Sequence, residues 1–415
     1  MVNRLTLGVA GSGKTRGIVE HCASLAPNRR VAVITFTQAN QAVLRARLRA
    51  VAGSHSDIEV MGWFAFLTRH FARPFVPFKF PGRRILGFNF DGRPHRFAKG
   101  PARFLDSGSS VYACELGRLA NELIEASNGS LMRRLECIYV EIVIDEVQDL
   151  SAYDWSILDV LLGSSIDITM VGDFRQAVLA TNPRSSKHKG YAYAGAIEWF
   201  REREKIGLVE ISYSTTTYRC RPEIAAFGDT IFGPKWRLPP TDSKNHEETG
   251  HDGVFLIHPD HVNIYVEEFS PQCLRHSSSS GKRFDLDYIN FKAAKGTEYQ
   301  RVLIVPTAGI EKFLHAGEAL EPGPAATLYV ASTRAFQSVA LVVAKADRRN
   351  NEVERHGKKA RFMVNSAISE CPLLFRCCPG CGMGRKADIL VSFVKSSPCD
   401  ASKRIFRWRA TGPLK

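Results

Sequence analysis

A glycine-rich segment close to residue 10 has the residue types and the spacing of a loop that binds phosphate groups. It reads Gly8, Val9, Ala10, Gly11, Ser12, Gly13, Lys14 and Thr15. In such loops the glycines let backbone N–H groups close around phosphate oxygens, the lysine reaches the outer phosphates, and the threonine hydroxyl coordinates Mg²⁺. We therefore predict a nucleoside triphosphate site with the contacts Gly8, Ala10, Gly11, Ser12, Gly13, Lys14 and Thr15.

A mostly apolar run ends in acidic residues farther along the chain. Residues 138–144 read as a strand, and Asp145 and Glu146 follow them directly. Phosphoryl transfer depends on charge neutralisation and on a positioned nucleophile, so Asp145 would hold Mg²⁺ and Glu146 would orient and deprotonate the attacking water. An acidic turn that caps a core strand is the alternative for this segment alone. Its pairing with the glycine-rich loop favours a Walker B strand.

Further segments, taken with these two, resemble the ordered motifs of the UvrD/Rep branch of superfamily 1 helicases. The matches are Thr35 to Ala39 (motif Ia), Asp145 to Asp149 (motif II), Val171 to Gln176 (motif III), Tyr218-Arg219 (motif IV), Lys295 to Tyr299 (motif V) and Tyr329 to Ala335 (motif VI). The resemblance covers about residues 5 to 345. It implies two RecA-like P-loop domains that hydrolyse ATP and move along single-stranded DNA in the 3′ to 5′ direction.

The resemblance also implies roles for individual residues. Gln176 would sense the γ-phosphate from the first domain, while Arg219 and Arg334 would reach it from the second, so that ATP draws the domains together. Arginines in such positions stabilise the charge that develops on the transferring phosphoryl group. Tyr218 would stack on the base and Glu298 would contact the ribose. A surface salt bridge is the alternative role for either arginine.

Contacts to single-stranded DNA are implied for motifs Ia, Ib and III. The candidates are Phe36, Thr37, Trp63 and Lys295, because aromatic faces stack on bases of any sequence and polar groups contact the backbone. Phe36 and Trp63 could equally belong to the core. The chain also departs from the family pattern, since only seven residues precede Gly8 and leave no room for the usual adenine-reading motif. Thr181 stands where the family tends to place a tryptophan against the DNA bases.

Parallel strands are needed to bring these segments together. The predicted strands are Val31 to Phe36, Ile138 to Ile144, Ile168 to Val171, Val302 to Val305 and Val339 to Val343. They alternate with helical segments, which predicts an α/β fold whose ligands bind at the carboxyl ends of the strands. We expect a first RecA-like domain in residues 1–70 and 135–205, a small insertion in 71–134 with a helix over Val111 to Ala126, and a second RecA-like domain in 206–350.

The composition favours a polyanionic partner. The chain has 415 residues and a formal net charge of +14, and neutralising phosphates releases counterions and gives affinity for any nucleic acid sequence. No apolar run is long enough to span a bilayer and no secretory signal is recognisable, so we expect a cytoplasmic protein without a membrane partner.

The remaining residues, 351–415, read as a basic linker and a cysteine-rich tail. Five of the ten cysteines lie there, and Cys378 and Cys381 have zinc-knuckle spacing. Cys371 or Cys377, together with Cys399, could complete a Zn²⁺ site; free thiols in a reducing compartment are the alternative. The tail also carries Trp408 among basic residues, which could clamp a single strand or close a zinc ribbon.

Two functions of different classes are consistent with these observations. The leading hypothesis is an ATP-dependent helicase or translocase on single-stranded DNA. The alternative is a nucleotide-gated DNA-binding subunit of a repair or phage-defence complex, in which a nuclease-like partner performs the chemistry. A small-molecule P-loop kinase is a third class, but it leaves the Tyr218-Arg219 and Arg334 motifs without a role.

Overall fold

The computed structural model describes residues 3–51, 57–182 and 185–344. The predicted tail, with its zinc candidates Cys371, Cys378, Cys381 and Cys399 and the DNA candidate Trp408, lies outside the described residues.

Strands and short helices alternate along most of the described chain. The strands are β1 Arg4–Gly8, β2 Val31–Thr35, β3 Ile58–Gly62, β4 Gly87–Asn89, β5 Ser110–Tyr112, β6 Glu141–Ile144, β7 Asp167–Gly172, β8 Glu210–Ser214, β9 Thr216–Thr217, β10 Asp242–Ser243, β11 Gly253–Ile257, β12 Gln272–Arg275, β13 Tyr288–Asn290, β14 Tyr299–Val305 and β15 Ala335–Val342. The helices are α1 Lys14–Ser24, α2 Gln38–Val51, α3 Trp63–Phe66, α4 Arg73–Lys79, α5 Leu116–Ala126, α6 Ser130–Ile138, α7 Asp154–Leu162, α8 Ala194–Lys205, α9 Pro222–Thr230, α10 Val262–Phe269, α11 Ala308–Ala316 and α12 Pro322–Ser332.

Two parallel sheets form the framework, as the alternating pattern predicts. The first has the order β3-β2-β6-β7-β1-β8 and the second the order β11-β15-β14-β12-β13. All pairs within these two sheets are parallel. We call the described residues up to 214 the first lobe and those from 215 to 344 the second lobe. The predicted α/β fold is thus confirmed.

The interior strands are apolar because helices cover both faces of a parallel sheet. Every residue of β2 (Val-Ala-Val-Ile-Thr) is buried, as is every residue of β6. β1 lies between β7 and β8, so the loop that follows it emerges at the middle of the sheet edge. β6 lies between β2 and β7, so its carboxyl end opens at the same edge.

The predicted strand over 138–144 is wrong at its start. Ile138 is the last residue of α6, and β6 begins only at Glu141. Leu131 and Leu135 of α6 are buried at helical spacing, and Ile138 packs partly buried against the same core. A short apolar run cannot by itself distinguish the end of a buried helix from the start of a strand.

The helix predicted within the insertion begins later than expected. Ser110–Tyr112 forms β5, which pairs in parallel with β4, and the helix starts only at Leu116. From there Leu116, Leu119, Ala120 and Leu123 form a buried stripe that packs the insertion onto the first lobe,. A π-helix, Leu67–Ala72, joins α3 to α4 at the base of the insertion.

Two further features show where the first lobe ends and how the second lobe contacts it. β8 pairs with β1, so the first sheet continues past the domain boundary predicted at residue 205. α12 of the second lobe is buried on all sides from Ala325 to Ser332 and packs against residues 174–176 of the first lobe. In the described part of the chain, no helix combines the length and the apolar character needed to cross a membrane.

Candidate nucleotide site between the two lobes

The glycine-rich loop lies where the sequence predicts it, between the end of β1 and the start of α1. Gly11 and Gly13 have φ values of +75° and +81°, a region that side chains other than glycine rarely adopt,. A Cβ atom on Gly11 would lie 2.6 Å from both Arg219 Cβ and Thr217 Oγ1. Both glycines are thus required, and the second lobe closes directly over the loop.

Lys14 is folded onto its own loop. Its Nζ donates hydrogen bonds of 3.0 Å to the carbonyl oxygens of Gly8 and Val9. Burial lowers the pKa of Lys14, whereas the charges of Asp173, Glu146 and Asp145 oppose that shift. The ammonium group is therefore a desolvated cation held beside a group of carboxylates.

The acids after β6 are buried at the mouth of the loop. The Asp145 N–H donates to Ile34 O on the neighbouring strand at 2.8 Å. Burial and the adjacent Glu146 raise the pKa of Asp145 to about 7. Glu146 itself has a φ of +57°, a strained conformation for a residue with a side chain,. Strain of this kind persists only where the surroundings enforce it, and here it directs the carboxylate of Glu146 toward the second lobe.

Lys295 of the second lobe binds these acids. Its Nζ donates to Asp149 Oδ1 at 3.0 Å and Oδ2 at 2.8 Å, and it lies 3.2 Å from Glu146 Oε2. Its side chain is only 9% exposed. Burial alone would raise the pKa of Glu146, but Lys295 and Lys14 hold it below its ordinary value. The prediction of Lys295 as a DNA contact is therefore not supported by its placement, which is inside the nucleotide site.

A hydrogen-bonded chain connects the acids to motif III. Gln148 Nε2 donates to Glu146 Oε2, and Gln148 Oε1 accepts from the Asp173 N–H at 3.0 Å. Asp173 then accepts from Gln176 Nε2 at 3.0 Å. The nucleophile-activating candidate Glu146 and the γ-phosphate candidate Gln176 are thus joined through two intermediate residues, Gln148 and Asp173.

Arg334 reaches the same point from the second lobe. Its Nη2 donates to Gln176 Oε1 at 3.1 Å, and its Nε donates to Val330 O at 3.0 Å. Burial and the neighbouring Arg219 lower the pKa of Arg334 to about 10. The predicted pair of Gln176 and Arg334 is brought into direct contact, and the guanidinium is a buried positive charge.

Arg219 lies at the rim of the site. Its Nε donates to Glu298 Oε1 at 2.9 Å and its Nη1 to Thr333 O at 3.3 Å. Tyr218 is 67% exposed, and its N–H donates to Gly11 O at 3.0 Å. The backbone of motif IV thus attaches to the glycine-rich loop, with the exposed ring of Tyr218 beside it and Glu298 paired with Arg219 at the edge.

Arg175 and Tyr329 were not among the predicted site residues. Arg175 Nε donates to Asp173 Oδ1 and its Nη1 to Asp229 Oδ1, both at 3.0 Å, and its guanidinium lies 4.8 Å from the centre of the Tyr329 ring. The Tyr329 hydroxyl donates to Asp173 Oδ2 at 3.2 Å and accepts from the Ala10 N–H at 3.3 Å. One hydroxyl of the second lobe therefore contacts both the glycine-rich loop and motif III.

A sequence signal for these two residues does exist. Tyr329 opens motif VI, and Arg175 is the residue before Gln176 in motif III. Their function as connectors depends on long-range docking, because Tyr329 and Asp173 are 156 positions apart. Gln148 and Asp149 also lie within a recognised motif, since they follow the predicted acids Asp145 and Glu146 in motif II. Their contacts with Asp173 and Lys295 likewise depend on residues distant in the sequence.

The donor set fits a hard divalent cation. Mg²⁺ takes oxygen ligands and usually keeps several waters, so one or two protein groups and the phosphates suffice. Asp145 supplies a buried carboxylate whose pKa is raised to about 7 by burial and by Glu146, and a cation would relieve that repulsion. Thr15 supplies a partly buried hydroxyl in the first turn of α1. Ser12 Oγ is buried in the loop and has no hydrogen-bond partner among the described residues.

The remaining DNA candidates differ in accessibility. Phe36 is half-buried and stacks on Trp63 with ring centroids 6.3 Å apart. Trp63 is only 4% exposed and packs in the core of the first lobe, which favours the core alternative for this residue. The Thr37 hydroxyl accepts from the Asn40 N–H at 3.1 Å and caps α2,.

Comparisons with known proteins add a family match over part of the chain. Residues 3–182, which include the glycine-rich loop and β6, match the AAA domain family AAA_19. No curated protein matches the sequence.

Solved structures with a similar fold include viral helicases. The crystal structure of arterivirus nonstructural protein 10 (helicase) has 14% identity and a TM-score of 0.45, and the match covers 83% of this chain and 60% of that one. The PRRSV helicase has 15% identity and a TM-score of 0.40, with 82% and 52% covered. The arterivirus protein in complex with DNA has 14% identity and a TM-score of 0.43, with 83% and 62% covered. The chain thus spans between 52% and 62% of the length of these structures.

Proposed function

We propose that this chain hydrolyses ATP between its two lobes and uses the cycle to move along single-stranded DNA. In this proposal it is a helicase or translocase of the UvrD-like superfamily 1 type with 3′ to 5′ polarity. The observation that carries the proposal is the composition of the site, which needs both lobes. The glycine-rich loop, Asp145 and Glu146 come from the first lobe, and Arg219 and Arg334 come from the second.

The chemistry follows from the positions of these side chains. The N–H groups at the start of α1 and the Lys14 ammonium would bind the phosphates. Glu146, whose pKa is held below its ordinary value by Lys295 and Lys14 despite burial, is ionised at neutral pH and can accept a proton from water,. Arg334, in contact with Gln176 at 3.1 Å, would stabilise the charge on the transferring phosphoryl group,. Mg²⁺ would add charge neutralisation at Asp145 and Thr15.

Movement requires that the nucleotide change how the lobes are joined. Several polar contacts across the lobe boundary end on residues of the phosphate site, namely Lys295 with Asp149 and Glu146, Arg334 with Gln176, and Tyr329 with Ala10 and Asp173. Binding and release of phosphates therefore compete directly with contacts that hold the lobes together. A change of this kind is what a stepping motor needs.

The decisive experiment is steady-state ATP hydrolysis by the wild type and Glu146→Gln, each with and without a single-stranded DNA oligonucleotide. We expect DNA-stimulated turnover that falls by about 100-fold or more in Glu146→Gln. Glu267→Gln, a carboxylate-to-amide change at an exposed position of α10, is the matched control. Turnover that is indifferent to both DNA and Glu146→Gln would refute the proposal.

A second candidate is a nucleotide-gated DNA-binding subunit of a repair or defence complex with little unwinding activity. It is favoured by Thr181, whose hydroxyl bonds with Ser151 Oγ at 2.7 Å and with Asp154, and whose N–H donates to Asp149 O at 3.0 Å. A small, engaged side chain stands here in place of a wedge that could part a duplex. Robust unwinding of a tailed duplex by the chain alone would exclude this candidate, and co-purification with a nuclease-like partner would support it.

A further inference from the structure

Two neighbouring cavities border the insertion, apart from the nucleotide site. We call them the aromatic cavity and the basic cavity. The aromatic cavity has a volume of about 880 Å³ and is lined by the rings of Phe64, Phe90 and Tyr153, by Arg93 and by Lys187. The basic cavity has a volume of about 430 Å³ and is lined by Lys79, Arg96, Lys99 and Glu122, among others. Arg103 and Arg118 line both cavities, so the two are adjacent.

Positive charge dominates this surface. The lining carboxylates, Glu115 and Glu122, are already engaged. Arg103 pairs with Glu115 at 2.7 Å, and Lys79 and Arg118 pair with Glu122 at 3.2 and 2.9 Å.

The loop that follows β4 carries cations that are not neutralised by carboxylates of the described residues. Arg93, Arg96 and Lys99 are exposed and make no ion pair with any described residue. Such an excess of unneutralised charge along one surface attracts a polyanion.

Exposed aromatic rings lie beside these cations. Phe90 is 69% exposed, and it stacks on Phe64 with ring centroids 5.5 Å apart and planes inclined by 29°. Phe97 is also 69% exposed, with the Arg96 guanidinium 4.6 Å from its ring centre. Aromatic faces alternating with cations form the arrangement on which single-stranded nucleic acids bind, through base stacking and phosphate contacts.

The aromatic cavity also adjoins the surface that carries Phe36. A third cavity, of about 500 Å³, is lined by Phe36 and Trp63 and shares Phe64, Phe90 and Tyr153 with the aromatic cavity. Three adjacent cavities thus lie between the residues around Phe36 and the loop that follows β4.

We propose that the insertion binds a segment of single-stranded nucleic acid, with bases stacked against Phe90 and phosphates contacted by Arg93, Arg96 and Lys99. This inference rests on the proposed function, since it extends the strand that the lobes would hold. An acidic peptide would satisfy the cations but would leave the exposed faces of Phe90 and Phe97 without a planar partner. A nucleic acid strand matches both features.

The test is fluorescence anisotropy of a short and a long labelled oligodeoxythymidylate over a range of salt concentrations. The double variant Arg96→Glu/Lys99→Glu should bind the long oligonucleotide about 10-fold or more weakly, with a salt dependence reduced by about two ions. Arg47→Glu/Arg49→Glu, an equal charge reversal on the exposed face of α2, is the matched control and should change neither quantity. The short oligonucleotide, which occupies only the surface at the lobes, should be unaffected in both double variants.

A second variant removes the aromatic face without changing charge. Phe90→Ala should weaken binding of the long oligonucleotide about 5-fold or more at every salt concentration, because stacking contributes about 1–3 kcal/mol per base. Circular dichroism melts establish that each variant is folded. Wild-type affinity for the long oligonucleotide in both Arg96→Glu/Lys99→Glu and Phe90→Ala would overturn this inference while the proposed function stands. No binding of either oligonucleotide by the wild type would overturn both.

Discussion

The two lobes meet at the nucleotide site with opposite charge. The first lobe contributes four carboxylates to the site, Asp145, Glu146, Asp149 and Asp173. The second lobe contributes three cations, Arg219, Lys295 and Arg334. Lys14 and Arg175 are cations that the first lobe places among its own acids, and burial lowers the pKa of Lys14. The carboxylates of the first lobe and the cations of the second are buried against one another where the lobes meet, so the site is a property of the boundary rather than of either lobe.

The two sheets explain why only the first lobe has the phosphate-binding loop. β1 has a neighbouring strand on each side, and its loop opens at the middle of the sheet edge, where the carboxyl ends of β6 and β7 place their acids. The first strand of the second sheet, β11, is an edge strand that pairs only with β15. His258 and Pro259 follow it in place of glycines. The second lobe therefore supplies charged side chains but no cradle of backbone N–H groups.

The largest effect is expected when the second lobe loses Arg334. Arg334→Ala should lower kcat for ATP hydrolysis by about 10³-fold or more, because an arginine at the γ-phosphate stabilises charge that develops in the transition state. Nucleotide affinity should change much less, since the glycine-rich loop remains intact. Measuring kcat and, separately, the Kd of a fluorescent ATP analogue distinguishes the two effects. Arg283→Ala, at an exposed arginine of the second lobe, is the control. A proportionate loss of affinity in Arg334→Ala would indicate a binding rather than a catalytic role.

Removing Lys295 should cost stability as well as activity. Lys295→Met leaves Asp149 and Glu146 buried without their cation, which should reduce the free energy of unfolding by about 3 kcal/mol,. The pKa of Glu146 should then rise, so the acidic limb of the pH profile for hydrolysis should move to higher pH. Urea denaturation and pH-rate profiles measure the two effects. Lys292→Met changes an exposed lysine of the same segment and should alter neither.

Replacing an acid of the first lobe should have the opposite effect on stability. Burial and Glu146 raise the pKa of Asp145 from 3.8 to about 7, so the folded protein binds more protons than the unfolded chain between about pH 4 and pH 7. Stability must therefore fall as the pH rises through that window. Asp145→Asn removes this cost and should gain on the order of 4 kcal/mol at pH 8, since each unit of the pKa shift corresponds to about 1.4 kcal/mol,.

Melts at pH 4 and pH 8 test this expectation. The stability gain of Asp145→Asn should largely disappear at pH 4, where the folded carboxyl is protonated and the unfolded one, with a pKa of 3.8, is close to its midpoint,. Glu267→Gln, which neutralises an exposed carboxylate, should show no such pH dependence. An equal gain for Asp145→Asn at both pH values would mean that the ionised carboxylate is not the source of the cost.

Sequence patterns predict the first lobe's part of the site well because its residues lie close in sequence to the strands that position them. The glycines, Lys14 and Asp145 each lie within a few positions of the strand end that orients them. Lys295 shows where this reasoning stops. Its partner Asp149 is 146 positions away, and nothing near Lys295 in the sequence reveals that the two lobes bring them into contact. A lysine suits both a solvent-exposed contact with DNA and a buried ion pair, so the residue type alone does not distinguish the two roles.

The incorrect element boundaries have a similar cause. Ile138 belongs to a helix because its side chain continues the stripe formed by Leu131 and Leu135, yet the apolar residues that follow make it resemble a strand. Trp63 lies beside the surface that carries Phe36, but the indole is packed into the core. In each case the choice between two locally acceptable structures depends on which neighbour the fold provides.

The smallest effect is expected for a single hydroxyl that joins the lobes. Tyr329→Phe removes the donor to Asp173 and the acceptor for the Ala10 N–H but keeps the ring beneath Arg175. The free energy of unfolding should fall by about 1 kcal/mol, the usual net contribution of a hydrogen bond. Because Ala10 belongs to the phosphate-binding loop, KM for ATP should also rise by a few-fold while kcat stays close to wild type. Tyr288→Phe, which removes a hydroxyl 3.4 Å from Gly281 O in the second lobe, should leave KM unchanged. If Tyr329→Phe changes stability without changing KM, the hydroxyl joins the lobes without positioning the loop, and the opposite charges alone account for the response of the boundary to nucleotide.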